Sequence, residues 1–322
     1  MGNSSHKVEV IRIENLQKHE NSDFLSIVHI FSGYTCIVRT ADWVQGQLAC
    51  YICPDSIVNT TRPEFSFLAG HPHIKVKKLR GVVSMGLLIP APAGAQVGDD
   101  LAEHFGVTHY EPPLQHRSTG GLTASPPPGY HPAYDVESFR RYAYIFCDGE
   151  PVIITEKIHG TNARFCCING DMHCGSKAEW KKEDADNLWW RALRETPALE
   201  DFCRANPNIT VYGEVYGWVQ SLHYGKKKGE IAFAAFDLLE NGTWLPFHTA
   251  RQRAQALPWV PVVAEIFFSL HKVLILAEGK SLVEVADHMR EGVVVKPVLE
   301  RWHPEIGRVC LKVVSNAYLE ST

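Results

Sequence analysis

Lys157 stands between an apolar run and a glycine in VIITEKIHGTN, residues 152–162. A lysine so placed can act as a nucleophile. The local pattern Lys-x-x-Gly occurs three times, however, beginning at Lys78, Lys157 and Lys226. About one such match is expected by chance in a chain of this length, so the residues downstream must discriminate. Four further elements follow Lys157 in order: Tyr212-Gly213-Glu214 with Gly217, Phe233 to Phe236-Asp237, Glu291-Gly292 running on to Val295-Lys296, and Leu311-Lys312. Each lies at or beside the end of a predicted strand. Lysines and acids on separate strands can converge on one cleft, and these types suit transfer of a nucleotidyl group. A lysine must be neutral to attack phosphorus, and nearby cations and partial desolvation lower its pKa toward that state. Further lysines neutralise a triphosphate and the charge that develops on phosphorus. Carboxylates hold a divalent metal directly or through water. An aromatic ring offers a face on which a purine stacks.

The elements that must position these residues are mostly strands. PVIITEK, ITVYGEVYG, IAFAAFDLL, GVVVKPV and RVCLKVV each read as a strand. The run KKEDADNLWWRALRE, residues 181–195, has apolar positions at helical spacing, with Trp189 and Trp190 on the helix as core or a helix face. SLVEVADHM, residues 281–289, reads as a second helix. The first hundred residues differ. FLSIVHIFSGYTCIVRT alternates apolar and polar residues on both sides of Ser32-Gly33, as a hairpin does. HIKVKKLRGVVSMGLLIP reads as another strand pair broken at Gly81, and DDLAEHFGV as a short helix closed by Gly106. Short strands, frequent turns and one small helix suggest a compact barrel. An oligonucleotide/oligosaccharide-binding (OB) barrel leads, although the pattern alone does not separate it from other small barrels. Between the two halves, EPPLQHRSTGGLTASPPPG is rich in Pro, Gly, Ser and Thr and reads as a linker. The expected division is a β-barrel domain over 1–112, a linker over 113–129 and a second domain over 130–322. That is an α+β protein with antiparallel sheets and helices in its C-terminal part.

Composition bounds the class. The 322 residues are 45% hydrophobic and 21% charged, which suits a soluble globular protein of about two domains. No apolar run approaches the roughly 18–20 residues of a membrane span. MGNSSHKVEV carries no basic-then-apolar secretory pattern, so the expectation is an intracellular, non-secreted protein without a membrane partner. Residues 1–6 fit a myristoylation signal only in part, because His6 stands where Ser or Thr is wanted. Nine cysteines without framework spacing favour free thiols, with Cys166, Cys167 and Cys174 as packing residues. Cys50 and Cys53 would need two more ligands to hold zinc, with His71 and His73 nearest, so a buried thiol pair is favoured. Net charge is −4, so nucleic acid can be met only through local patches. Two exist, Lys75 to Arg80 and Lys226 to Lys228, and each reads equally as a phosphate contact or a solvated segment.

The ordered set EKIHGTN, YGEVYG, FAAFD, EGVVVKP and LK resembles the lysine-adenylating ligase superfamily of nucleotidyltransferases. Within it, TEKIHGTN resembles RNA ligases more than DNA ligases or capping enzymes. The N-terminal block resembles that of the Deinococcus-type, nick-sealing RNA ligases, which carry an OB-like domain before the ligase domain. The resemblance implies an ATP-grasp-like ligase domain, ATP and Mg²⁺ (or Mn²⁺) as cofactors, and RNA with 5′-phosphate and 3′-OH ends, at nicks in duplexes, as partner. A monomer is expected.

It also implies roles. Lys157 would take AMP onto Nζ, with Lys296 and Lys312 on the phosphates. Glu156 and Asn162 would flank the nucleotide, with His159 and Gly160 shaping the turn. Glu214 would hold the ribose and share the metal shell with Glu291. Phe236 would stack on adenine, with Phe233 as second choice. Two departures stand out. Cys310 replaces the first lysine of a Lys-x-Lys motif, which leaves Arg308 as a substitute cation. Lys177 stands where related ligases have an arginine and lacks the two-pronged phosphate contact. The rival readings are a DNA ligase or capping guanylyltransferase, and a catalytically silent RNA-binding protein. The first pair usually carries its OB domain after the last lysine motif, whereas ten residues follow Lys312 here.

Overall fold

The structure is a computed structural model and describes residues 6–110 and 122–321. Most of the partial myristoylation match and much of the expected linker lie outside the described residues. The chain forms two compact units. Besides residues up to 110, the first takes in Glu137–Tyr144 and the C-terminal segment from Asn316. The second takes in the residues before Glu137 and Ile145–Ser315.

The first unit begins with β1 (Val8–Arg12), β2 (Leu16–Lys18), β3 (Leu25–Ile30), β4 (Tyr34–Arg39) and β5 (Leu48–Ile52). β3 and β4 form the expected hairpin, with Ile30 opposite Tyr34. The left-handed residue of its loop is Phe31, at φ 51°, not Gly33. Gly33 serves a different purpose, because a Cβ there would stand 3.3 Å from the Arg140 side chain. The next pair, β6 (Lys77–Leu79) and β7 (Val82–Ser84), turns at Arg80 and Gly81, both at positive φ. Two such residues make the tight hairpin turn whose twist matches that of the strands. β8 (Leu87–Pro90) then pairs with β5, which β1 flanks on its other edge. Helix α1 (Ala102–Phe105) is one turn long and ends at left-handed Gly106, as the sequence suggests.

β5 is buried on both faces. Ala49 and Tyr51 join one apolar cluster with Val28, Ile30, Cys36 and Val38, while Cys50 and Ile52 join another with Val10, Phe65 and Phe105. Cys53 belongs to the first cluster and Cys50 to the second. Side chains alternate faces along a strand, so an odd spacing sends these two thiols apart and they cannot chelate together.

In the second unit β9 (Pro151–Lys157), β10 (Thr161–Ile168) and β11 (Asp171–Gly175) come first. Helices α2 (Leu188–Glu195) and α3 (Pro197–Ala205) follow, then β12 (Ile209–Gly217) and β13 (Ile231–Glu240). β11, β10, β12 and β13 are consecutive neighbours in one antiparallel sheet. α2 and α3 cover it, burying Leu188, Trp189, Leu193 and Leu199 against Phe165, Val211 and Phe233. Each such aliphatic or aromatic side chain contributes roughly 1.5–3 kcal/mol by leaving water. The chain continues through α4 (Phe247–Arg253), β14 (Val262–Phe267), α5 (Leu270–Ala277), β15 (Gly292–Pro297) and β16 (Leu311–Val314). β16, β15, β9 and β14 lie side by side in a second sheet. Among the described residues, no helix is long and apolar enough to cross a membrane.

Two helix expectations change. α2 starts at Leu188, seven residues later than the periodicity predicts, because the Asn187 side chain caps it by accepting from the amides of Trp189 and Trp190. Residues 281–289 form no helix. The amide of Leu282 and the hydroxyl of Ser281 instead donate to Glu156, each at 2.6 Å, and Ser281 Oγ accepts from the Val283 amide. A local side-chain network has won over helical propensity.

Candidate active site

Strand register builds the site. Lys157 at the end of β9 lies opposite Gly292 of β15, Thr155 opposite Val294, and Ile153 opposite Lys296. Val294 is in turn opposite Lys312 of β16. Residues two apart on a strand, and residues directly opposite, share a face. Lys157, Lys296 and Lys312 therefore rise from one face, around Thr155 and Val294. From the other sheet, Asn162 of β10 pairs with Glu214 of β12. These residues line one cleft together with Tyr134, Asp135, Lys177 and Phe236.

Glycines bring the walls together. A Cβ at Gly160 would lie 2.2 Å from the Val215 carbonyl oxygen, and one at Gly292 would lie 1.9 Å from that of Val313. The turn after Lys157 can therefore rest on β12, and β15 can close on the chain beside it.

Lys157 Nζ donates to Glu291 Oε1 at 2.7 Å, and Glu291 Oε2 lies 3.4 Å from His159 Nδ1. Burial alone would lower the Lys157 pKa, but the charges of Glu291 and Glu214 outweigh it and raise it. This corrects the expectation of a lysine depressed by neighbouring cations: the nearest charges are acids, and here the side chain is a paired ammonium. Lys312 behaves as that expectation has it. Burial first, then the charges of Lys157 and Lys177, lower its pKa.

The two metal candidates titrate apart. Burial raises Glu291, yet the Lys157 charge and the His159 contact bring it down to about 2. Burial pushes Glu214 up to about 8, and the Glu291 charge adds to the rise against the opposing pull of Lys157. Such a carboxyl ionises readily only when a cation joins it. Among the described residues no three His, Cys, Asp or Glu side chains gather as a metal site. Glu214 lines the cleft and Glu291 is bonded to Lys157 beside it, and two carboxyl groups so placed fit a magnesium-type ion, which keeps several waters and takes oxygens from its substrate.

Several expected contacts are rearranged. Glu156 borders the cleft, but it is 1% exposed and its two carboxylate oxygens accept from Ser281 and Leu282, which ties its side chain to that turn. Phe233 is 2% exposed and packs edge-on against Phe165 at 5.3 Å, so the second-choice stacking residue is core. Phe236 borders the cleft and lies 4.5 Å from the Tyr134 ring. Arg308 does not replace the missing lysine. It donates to both oxygens of Asp237, at 2.9 and 3.0 Å, and to both of Glu300, at 2.7 and 2.6 Å. Lys296 reaches the cleft, but its Nζ donates to Asp237 at 2.8 Å and to the Phe236 carbonyl at 3.1 Å. Lys177 donates to Asp135 at 2.9 Å. Asn162 Oδ1 is buried and has no hydrogen-bond partner among the described residues.

Two residues of the cleft escape the sequence motifs, and one motif residue beside it has a part that its motif does not announce. Asp237, the last residue of FAAFD, is fully buried and anchors Lys296, Arg308 and the Tyr134 hydroxyl. Burial would raise its carboxyl, but the charges and hydrogen bonds of Arg308 and Lys296 hold it at about 2. Tyr134 and Asp135 precede the first strand of the sheet and belong to no motif. Only their proximity in space marks them.

Comparison with known proteins agrees with this architecture. No curated protein matches the chain. A mutant Naegleria gruberi RNA ligase solved without ligand superimposes with a TM-score of 0.85 at 22% identity, over 99% of each chain. A mutant of the Naegleria gruberi enzyme solved with ATP and manganese gives 0.83 at 22% over 98% of each. The same organism's RNA ligase with pyrophosphate gives 0.84 at 23%, again over 98% of each. At these identities the likeness is one of fold, and it is α+β with the small β-rich unit first. An OB-fold domain model matches residues 7–91, and the RNA ligase family model matches residues 150–314, which is more than half of the chain. That second match spans every strand bearing the lysines and acids of the cleft, and by it the chain belongs to the RNA ligase family.

Proposed function

We propose that this protein is an ATP-dependent RNA ligase that seals 5′-phosphate and 3′-OH ends through a lysyl-AMP on Lys157. The pairing of Lys157 Nζ with Glu291, in a cleft that also holds Lys312 and Lys177, carries the reading. Lys157 loses a proton, its Nζ bonds to the α-phosphorus of ATP, and the bond to pyrophosphate breaks. Lys312 and Lys177 bear on the departing charge. Glu214 and Glu291 would hold a divalent ion, which offsets phosphate charge when bound. The ammonium of Lys157 is stabilised by those same acids, so their neutralisation on loading favours its deprotonation. Phe236 and Tyr134 offer aromatic faces for adenine, and Asn162 Oδ1 an acceptor for a nucleotide donor group. AMP then passes from Nζ to an RNA 5′-phosphate, and a 3′-hydroxyl displaces it. The structures of Naegleria RNA ligase mutants with ATP and manganese, and of that enzyme with pyrophosphate, support the same cofactors here.

The finer reading is a nick-sealing enzyme of the Deinococcus type. Its support is the N-terminal placement of the OB-fold match, before the ligase match. In this reading residues 1–112 grip the nucleic acid and residues 130–322 perform the chemistry. The deciding experiment incubates the protein with α-labelled ATP or GTP and Mg²⁺, and maps the label. Label from ATP on Lys157, absent in Lys157→Ala, is the expected outcome. Undiminished labelling of that variant, or preference for GTP, would overturn the proposal.

A further inference from the structure

The cationic side of the cleft holds an acid that the reaction does not require. Asp135 Oδ1 accepts from Lys177 Nζ at 2.9 Å. Burial alone would raise its carboxyl, but the Lys177 bond and the charges of Lys177 and Lys312 hold it below the usual carboxylate range. Lys312 itself is under strain from like charge, because Lys157 and Lys177 both oppose its protonation while Asp135 relieves it. All four residues line the cleft. Asp135 therefore sits against the cations that a polyphosphate would need.

We propose that Asp135 is an internal stand-in for phosphate: it occupies Lys177 and faces Lys312 until the polyphosphate of the nucleotide takes both. The exchange is feasible because the ion pair is half open to water, with the two side chains 52% and 53% exposed. Such pairs hold weakly. A polyphosphate brings several charges where Asp135 brings one, so it wins the lysines. Until then the carboxylate offsets the mutually opposed charges of Lys177 and Lys312. The cost is a weaker grip on ATP and on pyrophosphate, which eases release of the latter once Lys157 is adenylated. Asp135 is thus a residue that tunes polyphosphate affinity, and this inference rests on the ATP-dependent reading above.

Asp135→Asn tests it. Asn keeps the acceptor that Asp135 Oδ1 offers to the Val136 amide at 3.0 Å and removes only the charge. The KM for ATP in lysyl-AMP formation is expected to fall about two- to fivefold, the range that an exposed ion pair allows. Sodium pyrophosphate should also raise the melting temperature of the variant more than that of the native protein, a readout independent of turnover. In a Lys177→Gln background both gains should shrink, because Asp135 then has less to release. An unchanged or higher KM, or equal pyrophosphate protection, overturns the inference. Native protein that takes no label from ATP would instead refute the ATP-dependent reading, so the two failures are distinct.

Discussion

Glu214 and Glu291 both act on Lys157, yet their carboxyls move in opposite directions. Glu291 has the direct bond to Lys157 and is held at about 2, while Glu214 is buried beside another acid and rises to about 8. The consequence for stability follows from linkage. Between about 4.5 and about 8 the folded protein keeps a proton on Glu214 that the unfolded chain has lost. Stability from this group therefore falls as pH rises through that window. Glu291 acts oppositely, contributing stability above about 4.5 that is lost as pH falls through about 2. Glu214→Gln is expected to melt higher than the native protein above about pH 8 in the absence of divalent ions, with the gap closing toward pH 4.5. Melting curves across that range check it. A gap that widens toward acid would contradict a carboxyl raised by burial at this position.

At the scale of elements, the cleft is a product of strand register and of close approach at glycine. Lys157, Lys296 and Lys312 share a face only because β9, β15 and β16 pair as Lys157–Gly292 and Val294–Lys312. Gly292 is the weak point, since a Cβ would fall 1.9 Å from the Val313 carbonyl oxygen, a backbone atom that cannot swing aside. Gly292→Ala should cost about 1–3 kcal/mol through overpacking and shift β15 against its neighbour. Denaturant unfolding reads the first effect, and loss of lysyl-AMP at pH and ATP levels that saturate the native protein reads the second.

For the whole molecule, a net charge of −4 leaves RNA attraction to local features. The β6–β7 hairpin supplies one in the first unit, with Lys77, Lys78 and Arg80 exposed. Lys78 shares its charge with Glu320 at 3.3 Å, a contact that phosphate can replace. Replacing Lys77, Lys78 and Arg80 by Gln should weaken nick sealing while sparing lysyl-AMP formation. It should also flatten the log–log salt dependence of RNA binding by up to about three, one for each lost phosphate contact. Unchanged salt dependence would remove the hairpin from the interface. Point charges are the better test than deletion of residues 1–110. The first unit includes Glu137–Tyr144, where Arg140 donates to the Gly33 carbonyl and Tyr34 bonds Ser138, so a cut there strips partners from buried residues.

The sequence by itself determined the strands, the order of the motifs and the residue types that meet. PVIITEK, ITVYGEVYG and GVVVKPV carry their own signal because β-branched runs bounded by turn residues read as strands without outside help. Lys157, Glu214, Glu291, Lys296 and Lys312 were all legible as a set. Only the tertiary structure decided what each side chain is bonded to. Glu156 turns to Ser281, Phe233 enters the core, and Arg308 goes to Asp237, because those partners lie far away in sequence. The same distance hid Tyr134, Asp135 and the partners of Asp237, and it reversed the pKa direction of Lys157. Local pattern reports which way a backbone runs. Charge and burial depend on neighbours that only folding brings near.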